Sequence, residues 1–185
     1  MKIKDIFNEI KGFSRPIFFT GEDLGYSNNI TKEIINNWSH TELLNRIYLY
    51  KNQTPSQIHY DLAKLNLPII TESTDGLHNL AGSQIVIEVH GNHNNIICTK
   101  CTYSNTITNL LIKYEKGIIF CPVCKSELRP DIVYPGERIR CFSKALDNLY
   151  NSDVLVVIGN NFKNWPSNKL ISKAINNGIK VSYIS

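Results

Sequence analysis

The chain has 185 residues, of which 42% are hydrophobic and 19% are charged, with ordinary numbers of Gly (10) and Pro (7). This composition excludes collagen-like, low-complexity and strongly charged disordered chains. The formal net charge of +4 neither demands nor excludes nucleic acid as a partner. A chain of this length is expected to bury one sizeable hydrophobic core.

The N-terminal third is predicted to contain two helices and a strand. Apolar residues recur at helical spacing in two stretches, Ile3, Ile6 and Ile10, and then Ile30, Ile34, Ile35 and Trp38. Gly12 is well placed to end the first helix. Between the two stretches, the apolar run at 16–19 predicts a buried strand that stops at Thr20 and Gly21.

A further helix is predicted to begin at residue 54. Thr54 would be its N-cap, Pro55 its first helical residue and Gln57 the side chain that reaches back to the cap. Its buried face would consist of Ile58, Leu62 and Leu65.

Strands and helices alternate along the rest of the chain. The predicted strands are short apolar runs at 68–71, 85–87, 131–134, 154–158 and 180–184. The helices around the fourth run carry the apolar residues Ile139, Phe142, Leu146 and Leu149, and then Leu170, Ile171, Ala174 and Ile175, closed by Gly178. This alternation predicts an α/β fold with a doubly wound, mostly parallel, Rossmann-like sheet.

Four of the five cysteines form two C-x-x-C pairs. They are Cys98 with Cys101 and Cys121 with Cys124, and nineteen residues separate the pairs. This spacing is typical of a four-thiolate zinc site, which has no open position and is therefore structural. We assign 93–130 to an inserted zinc-binding module, and 1–92 with 131–185 to the Rossmann-like domain. A zinc ribbon that binds nucleic acid is the other interpretation, but no basic cluster accompanies the cysteines.

The location of the protein is predicted from what the chain does not contain. Residues 1–16 include no apolar stretch of the kind found in signal peptides. The longest apolar run, at 154–158, is too short to cross a bilayer. We therefore expect a reducing, cytoplasmic location and no membrane partner.

Cys141, the fifth cysteine, is expected to be a small buried apolar residue of a helix.

Ligands of open α/β sheets bind beyond the carboxyl ends of the strands. The polar segments that follow the predicted strands are therefore the functional candidates, and they lie at 20–25, 71–78, 88–92 and 159–161. No G-x-G-x-x-G motif opens a helix, so an ordinary dehydrogenase is not favoured.

These segments carry motifs that are recognisable in their order. The chain has TESTDGLH at 71–78, Ala81-Gly82, EVHGN at 88–92, the two cysteine pairs, LRPDIV at 128–133, PGE at 135–137, and IGNNF at 158–162 followed by Pro166. Pro55 and His59 fit the helix that precedes the first motif. Together they resemble the sirtuin family from residue 55 to the C-terminus.

The resemblance implies an NAD-dependent protein lysine deacylase with a large Rossmann-like domain and a small zinc-bearing domain. In that family the acyl group of a modified lysine is transferred to ADP-ribose and nicotinamide is released, so an acylated-lysine protein is the implied partner. His90 matches the histidine that acts as general base on a ribose hydroxyl.

The resemblance also implies the remaining site residues. Those for the cofactor are Thr20, Gly21, Glu72, Ser73, Asp75, Gly159, Asn160 and Asn161. Those for the substrate peptide, which adds as a strand, are Pro135, Gly136, Glu137 and Phe162.

The chain departs from the family's pattern in two places. Glu22 and Asp23 follow Thr20-Gly21, where the family has glycine-alanine-glycine-isoleucine-serine, and Glu72-Ser73 replaces a glutamine-asparagine pair. The first departure motivates an alternative in which the chain is a catalytically impaired binding module, unless both acids point into solvent. The second motivates an NAD glycohydrolase or ADP-ribosyl transferase.

Several candidates also have a purely structural interpretation. Asp75 could stabilise its own turn before Gly76. His78 is expected to be a structural hydrogen-bonding residue and His59 a partly buried helix residue. His40 and His93 are expected to lie in solvated loops, and Phe162 and Trp165 fit packing as well as peptide contact.

Overall fold

The computed structural model describes residues 3–21, 24, 42, 53–107, 120–134, 136–139, 141–159, 162 and 166–184. The predicted helix with Ile30, Ile34, Ile35 and Trp38 lies outside these residues. So do seven other residues discussed above, namely Glu22, Asp23, His40, Pro135, Asn160, Asn161 and Trp165.

Eight strands and five helices of the described segments form the framework. The strands are β1 (Pro16–Thr20), β2 (Ile69–Thr71), β3 (Val86–Glu88), β4 (Gly91–Cys98), β5 (Ser104–Thr106), β6 (Leu128–Ile132), β7 (Val154–Ile158) and β8 (Lys180–Ile184). The helices are α1 (Ile3–Ile10), α2 (Gln57–Leu65), α3 (Leu77–Leu80), α4 (Phe142–Tyr150) and α5 (Ser167–Asn176).

The larger sheet is entirely parallel and has the strand order β3-β2-β1-β7-β8. Its strands bury alternate residues on opposite faces, as the two-residue period of a strand requires. Ile17 and Phe19 of β1 pack with α4 and α5, whereas Phe18 packs with α1 and α2. The doubly wound α/β fold predicted from the sequence is therefore confirmed.

The smaller sheet is antiparallel, in the order β5-β4-β6, and has its own apolar cluster of Ile96, Ile107 and Leu128 with the cysteines. Its strands extend from Gly91 to Ile132, slightly beyond the predicted module of 93–130. The division of the chain into two domains stays a prediction.

Two sequence predictions about elements were wrong. The helix α2 begins at Gln57 with Ser56 as N-cap, rather than with Thr54 in that position. His59 explains the shift, because its Nδ1 accepts a hydrogen bond from the Ser56 amide (3.2 Å) and lies 2.8 Å from the Ser56 hydroxyl. The strand predicted at 131–134 is instead β6, since Ile132 and Asp131 pair with Gly91 and Asn92 in the small sheet.

No helix among the described residues has both the length and the apolar character needed to cross a membrane.

Candidate functional site

The carboxyl ends of β1, β2 and β7 bring three of the predicted segments together. The amide of Glu72 donates to the carbonyl of Thr20 (3.0 Å), and the amide of Gly21 donates to the carbonyl of Ile158 (3.0 Å). Gly159 follows directly and has a φ of 112°, a conformation that favours glycine. Thr20, Gly21, Glu72 and Gly159 therefore share one edge of the sheet.

Glu72 and His90 face each other at this edge. The Nε2 atom of His90 lies 3.7 Å from Oε1 of Glu72, and the two side chains are only 16% and 11% exposed. The hydroxyl of Ser167, the first residue of α5, donates a hydrogen bond to the same Oε1 atom. The structure thus assembles a hydroxyl, a carboxylate and an imidazole from three elements that are distant in sequence.

Ser73 offers a hydrogen-bonding group without a protein partner. Its amide donates to the Thr71 hydroxyl (3.1 Å), but its own buried hydroxyl has no partner within the described part of the chain. Buried polar atoms in folded proteins are nearly always satisfied, so an orphaned one suggests a ligand or a water molecule as partner. This hydroxyl fits a polar co-substrate at the sheet edge.

Asp75 stabilises its own turn, as its structural interpretation holds. Its Oδ1 atom accepts the amide of Leu77 (2.9 Å), and its carbonyl accepts the side-chain amide of Asn94 (2.7 Å). Gly76, which lies between Asp75 and Leu77 in the chain, has a φ of 72°. Contact between Asp75 and a cofactor stays a prediction.

His78 is confirmed as a structural hydrogen-bonding residue. Its Nε2 atom lies 2.9 Å from the Thr20 hydroxyl, and its ring packs against that of His59 at 4.7 Å between centroids. Burial, and then the neighbouring His59, lower the pKa of His78 to about 3. His59 is fully buried rather than partly buried, and burial lowers its pKa as well.

His93 was predicted to be solvated, and this was wrong. It lies in β4 with 6% exposure, its amide donates to the Thr74 carbonyl (2.8 Å) and its Nδ1 lies 3.3 Å from the Thr74 hydroxyl. Burial lowers the pKa of His93 to about 4. The strand was not recognised because the residues around His93 are polar, and because the buried positions of β4 at 93, 96 and 98 do not follow a two-residue period.

The predicted peptide-binding residues lie in two places. The amide of Val133 donates to the His90 carbonyl (2.9 Å), so the turn that contains Gly136 and Glu137 begins close to His90. Glu137 pairs with Arg129 (2.9 Å) and accepts the amide of Tyr134 (3.1 Å). Phe162 packs against Phe19, with 5.0 Å between ring centroids.

Sequence reasoning missed Ser167, and it placed Glu88 in a candidate segment without giving it a role. Ser167 begins the helix that follows β7, and no local signal in the sequence distinguishes it, because its partner Glu72 is distant in the chain. Glu88 ends β3, accepts the side-chain amides of Asn79 (3.0 Å) and Asn92 (2.8 Å), and lines a cavity of about 190 Å³. Burial raises its pKa to about 7.

Cys141 lines the same cavity as Glu88. It is partly exposed and precedes α4, so its predicted burial within a helix was wrong.

The four predicted metal ligands form one cluster. Their Sγ atoms all lie within 4.8 Å of one another, with 3.4 Å between Cys98 and Cys124 and 3.5 Å between Cys101 and Cys121. These separations are too long for disulfides. Tetrahedral Zn²⁺ bound by four thiolates at about 2.3 Å requires sulfur–sulfur distances of about 3.8 Å, so the cluster fits a structural zinc ion.

Comparison with known proteins places these observations in a family. A model of the Sir2 family matches residues 19–166. A protein of Caldivirga maquilingensis named NAD-dependent protein deacetylase is 35% identical over 131 residues, which cover 67% of this chain and 51% of that protein. One of the same name from Bacillus cereus (strain ATCC 14579) is 33% identical over 147 residues, covering 77% of this chain and 58% of that protein. The chain thus spans about half the length of the curated relatives it matches.

Solved structures agree with the fold. A sirtuin structure concerned with substrate affinity has a TM-score of 0.80 at 26% identity, and the match covers 99% of this chain and 86% of that one. A Sir2 structure bound to an acetylated peptide has the same TM-score at 24% identity and the same coverage.

Proposed function

The chain belongs to the Sir2 family, and we propose that it is an NAD-dependent protein lysine deacylase. It would transfer the acyl group of a modified lysine to ADP-ribose with release of nicotinamide. The names of its curated relatives support this activity. NAD is the co-substrate, and an acylated-lysine protein is the partner.

The observation that carries the proposal is the position of His90 at the carboxyl edge of the parallel sheet. Histidine is the usual general base at neutral pH. His90 is only partly exposed, faces Glu72, and lies on the chain next to the turn that leads to the small sheet. In the proposal it accepts a proton from a ribose hydroxyl.

Around His90, the chain's own residues would bind the co-substrate. The backbone of Thr20, Gly21 and Gly159 lies at this edge, and the Ser73 hydroxyl has no protein partner among the described residues. Glu72, Asp75, Asn160 and Asn161 complete the set that the family resemblance assigns to the cofactor.

The substrate peptide is proposed to bind between two stretches, Pro135 to Glu137 and the segment of Phe162. Arg129 holds Glu137 through both a 2.9 Å ion pair and a hydrogen bond, and so fixes the first stretch. A peptide that adds there as a strand would gain main-chain hydrogen bonds.

The four-cysteine cluster would hold structural zinc through Cys98, Cys101, Cys121 and Cys124. All five cysteines are free thiols. Since thiolate ligands persist in a reducing environment, we propose a cytoplasmic location.

The decisive experiment compares wild-type protein with His90→Ala. Deacetylation of an acetyl-lysine peptide, followed by mass spectrometry, should fall by at least about a hundredfold, as expected for loss of a general base. NAD binding measured by calorimetry should persist. Ser172→Ala is the control, because its hydroxyl donates to the carbonyl of Asn168 within α5 and it is not one of the proposed site residues. An active His90→Ala variant, or a wild-type protein without deacetylation, would contradict the proposal.

A further inference from the structure

Glu72 places a carboxylate where the proposed reaction needs only a general base. Its Oε1 atom lies 3.7 Å from His90 Nε2, which is beyond a direct hydrogen bond but short enough for one hydroxyl to contact both atoms. A ribose hydroxyl that gives its proton to His90 therefore lies within hydrogen-bonding reach of Glu72. Within the described segments, no lysine or arginine forms an ion pair with this carboxylate.

Ser167 holds the carboxylate in this orientation. Its side chain is buried, and its hydroxyl donates to the same Oε1 atom that faces His90. Because α5 begins at Ser167, the carboxylate is tied to a helix packed on the sheet. Glu72 is thus oriented before any ligand binds.

A carboxylate bound to a sugar hydroxyl promotes cleavage of a glycosidic bond. The transition state of such cleavage carries positive charge on the sugar ring, and hydrogen bonds from ring hydroxyls to acceptors become stronger in it. The bond between nicotinamide and ribose in NAD is an N-glycosidic bond. Glu72 can therefore lower the barrier to its cleavage without an acyl-lysine.

We propose that Glu72 gives this chain a second activity, the hydrolysis of NAD by water in the absence of peptide. The inference rests on the proposed function for NAD binding but not for deacylation. The water oxygen forms a bond to C1′ while the C1′–N bond breaks. The electron pair of the broken bond goes to the pyridinium nitrogen and neutralises it, and a proton of the water passes to the Glu72–His90 pair and on to solvent. The products are nicotinamide and ADP-ribose.

The test compares the wild type with Glu72→Gln, which keeps the size and one acceptor oxygen but removes the charge. Nicotinamide and free ADP-ribose are measured without peptide, and deacetylation is measured with it. We expect the peptide-independent rate of Glu72→Gln to be about tenfold lower than that of the wild type, because a neutral acceptor makes a weaker hydrogen bond than a charged one.

The matched control is Glu9→Gln. Glu9 also accepts the hydroxyl of a serine, Ser182, but on α1 and away from the carboxyl edge. It should leave both rates unchanged. A readout independent of turnover is the NMR spectrum of the ligand-free protein, in which Glu72→Gln should shift the imidazole nitrogens of His90 and Glu9→Gln should not.

The outcomes separate this inference from the proposed function. Peptide-independent hydrolysis that falls in Glu72→Gln supports it, even if no peptide is deacetylated. Deacetylation without any peptide-independent hydrolysis, or hydrolysis equal in wild type and Glu72→Gln, overturns it and leaves the proposed function intact. Absence of NAD binding to the wild type overturns both.

Discussion

Gly91, which directly follows His90, is restricted by close contact with the backbone of a neighbouring strand. Gly91 has a φ of 82°, and a Cβ atom added there would overlap the carbonyl oxygen of Asp131 and lie 3.0 Å from the Cα of Ile132. These backbone atoms belong to β6 and cannot move without disrupting its pairing with β4. Only glycine fits this position.

We therefore expect Gly91→Ala to lower the free energy of unfolding by about 3 kcal/mol or more, through strain added to a backbone clash. Gly12→Ala is the matched control, because Gly12 has a similar φ of 87° but no atom of the described residues lies within 4 Å of the added Cβ. It should cost about 1 kcal/mol. Urea unfolding measures both, and equal losses would show that the contact with β6 does not matter.

At the same scale, single residues show how far the sequence predicts the site. The cysteine cluster was predictable because each C-x-x-C pair is a short contiguous motif, whereas the catalytic role of His90 stays a prediction. Ser167 was missed because its role depends on Glu72, ninety-five residues away in the chain. No local pattern encodes that contact, which exists only because α5 begins at the edge where β2 ends.

Among the elements, the small sheet depends on its cysteines. Among the described residues its apolar cluster contains Ile96, Ile107 and Leu128 together with Cys98 and Cys121, so the cysteines form a large part of this core. Zinc binding is therefore expected to supply much of the free energy that folds this part.

Cys98→Ser should abolish stoichiometric zinc binding, measured by atomic absorption, and should speed hydrogen exchange in β4 and β6. The amides of β7 in the larger sheet should stay protected, because they pair with β1 and β8. Cys141→Ser is the control, since Cys141 lies outside the cluster and should leave one zinc ion per chain. Full zinc content in Cys98→Ser would show that three thiolates suffice.

Prediction of the elements succeeded where one-dimensional patterns suffice. The apolar run of β7 was identified with its bounds because a strand buried on both faces needs apolar residues throughout. The strand β6 was placed in the wrong sheet because its residues fit either partner. Its antiparallel pairing with β4 is a long-range contact that the local pattern cannot select. The start of α2 was misplaced because a histidine rather than Gln57 reaches back to the cap.

In the molecule as a whole, titratable groups whose pKa values shift in opposite directions on folding make the stability depend on pH. Burial lowers the pKa of His78 to about 3 and that of His93 to about 4, from 6.5. The unfolded chain then binds more protons than the folded one below pH 6.5, so their contribution to stability is lost as the pH falls. Glu88 acts in the opposite direction, because its pKa is raised from 4.5 to about 7.

The Glu88 contribution can be isolated with Glu88→Gln. Between pH 4.5 and 7 the folded wild type binds a proton at Glu88 that the unfolded chain does not, so this residue's contribution is full below pH 4.5 and is lost as the pH rises through 7. As the pH rises across this range, the free energy of unfolding of the wild type should therefore fall relative to that of Glu88→Gln, by up to about 3 kcal/mol. Urea unfolding at pH 5, 6, 7 and 8 measures the difference. A constant difference for Glu88→Gln would mean that the carboxyl is ionised in the folded protein throughout. The cavity that Glu88 lines would then admit enough water to solvate its charge.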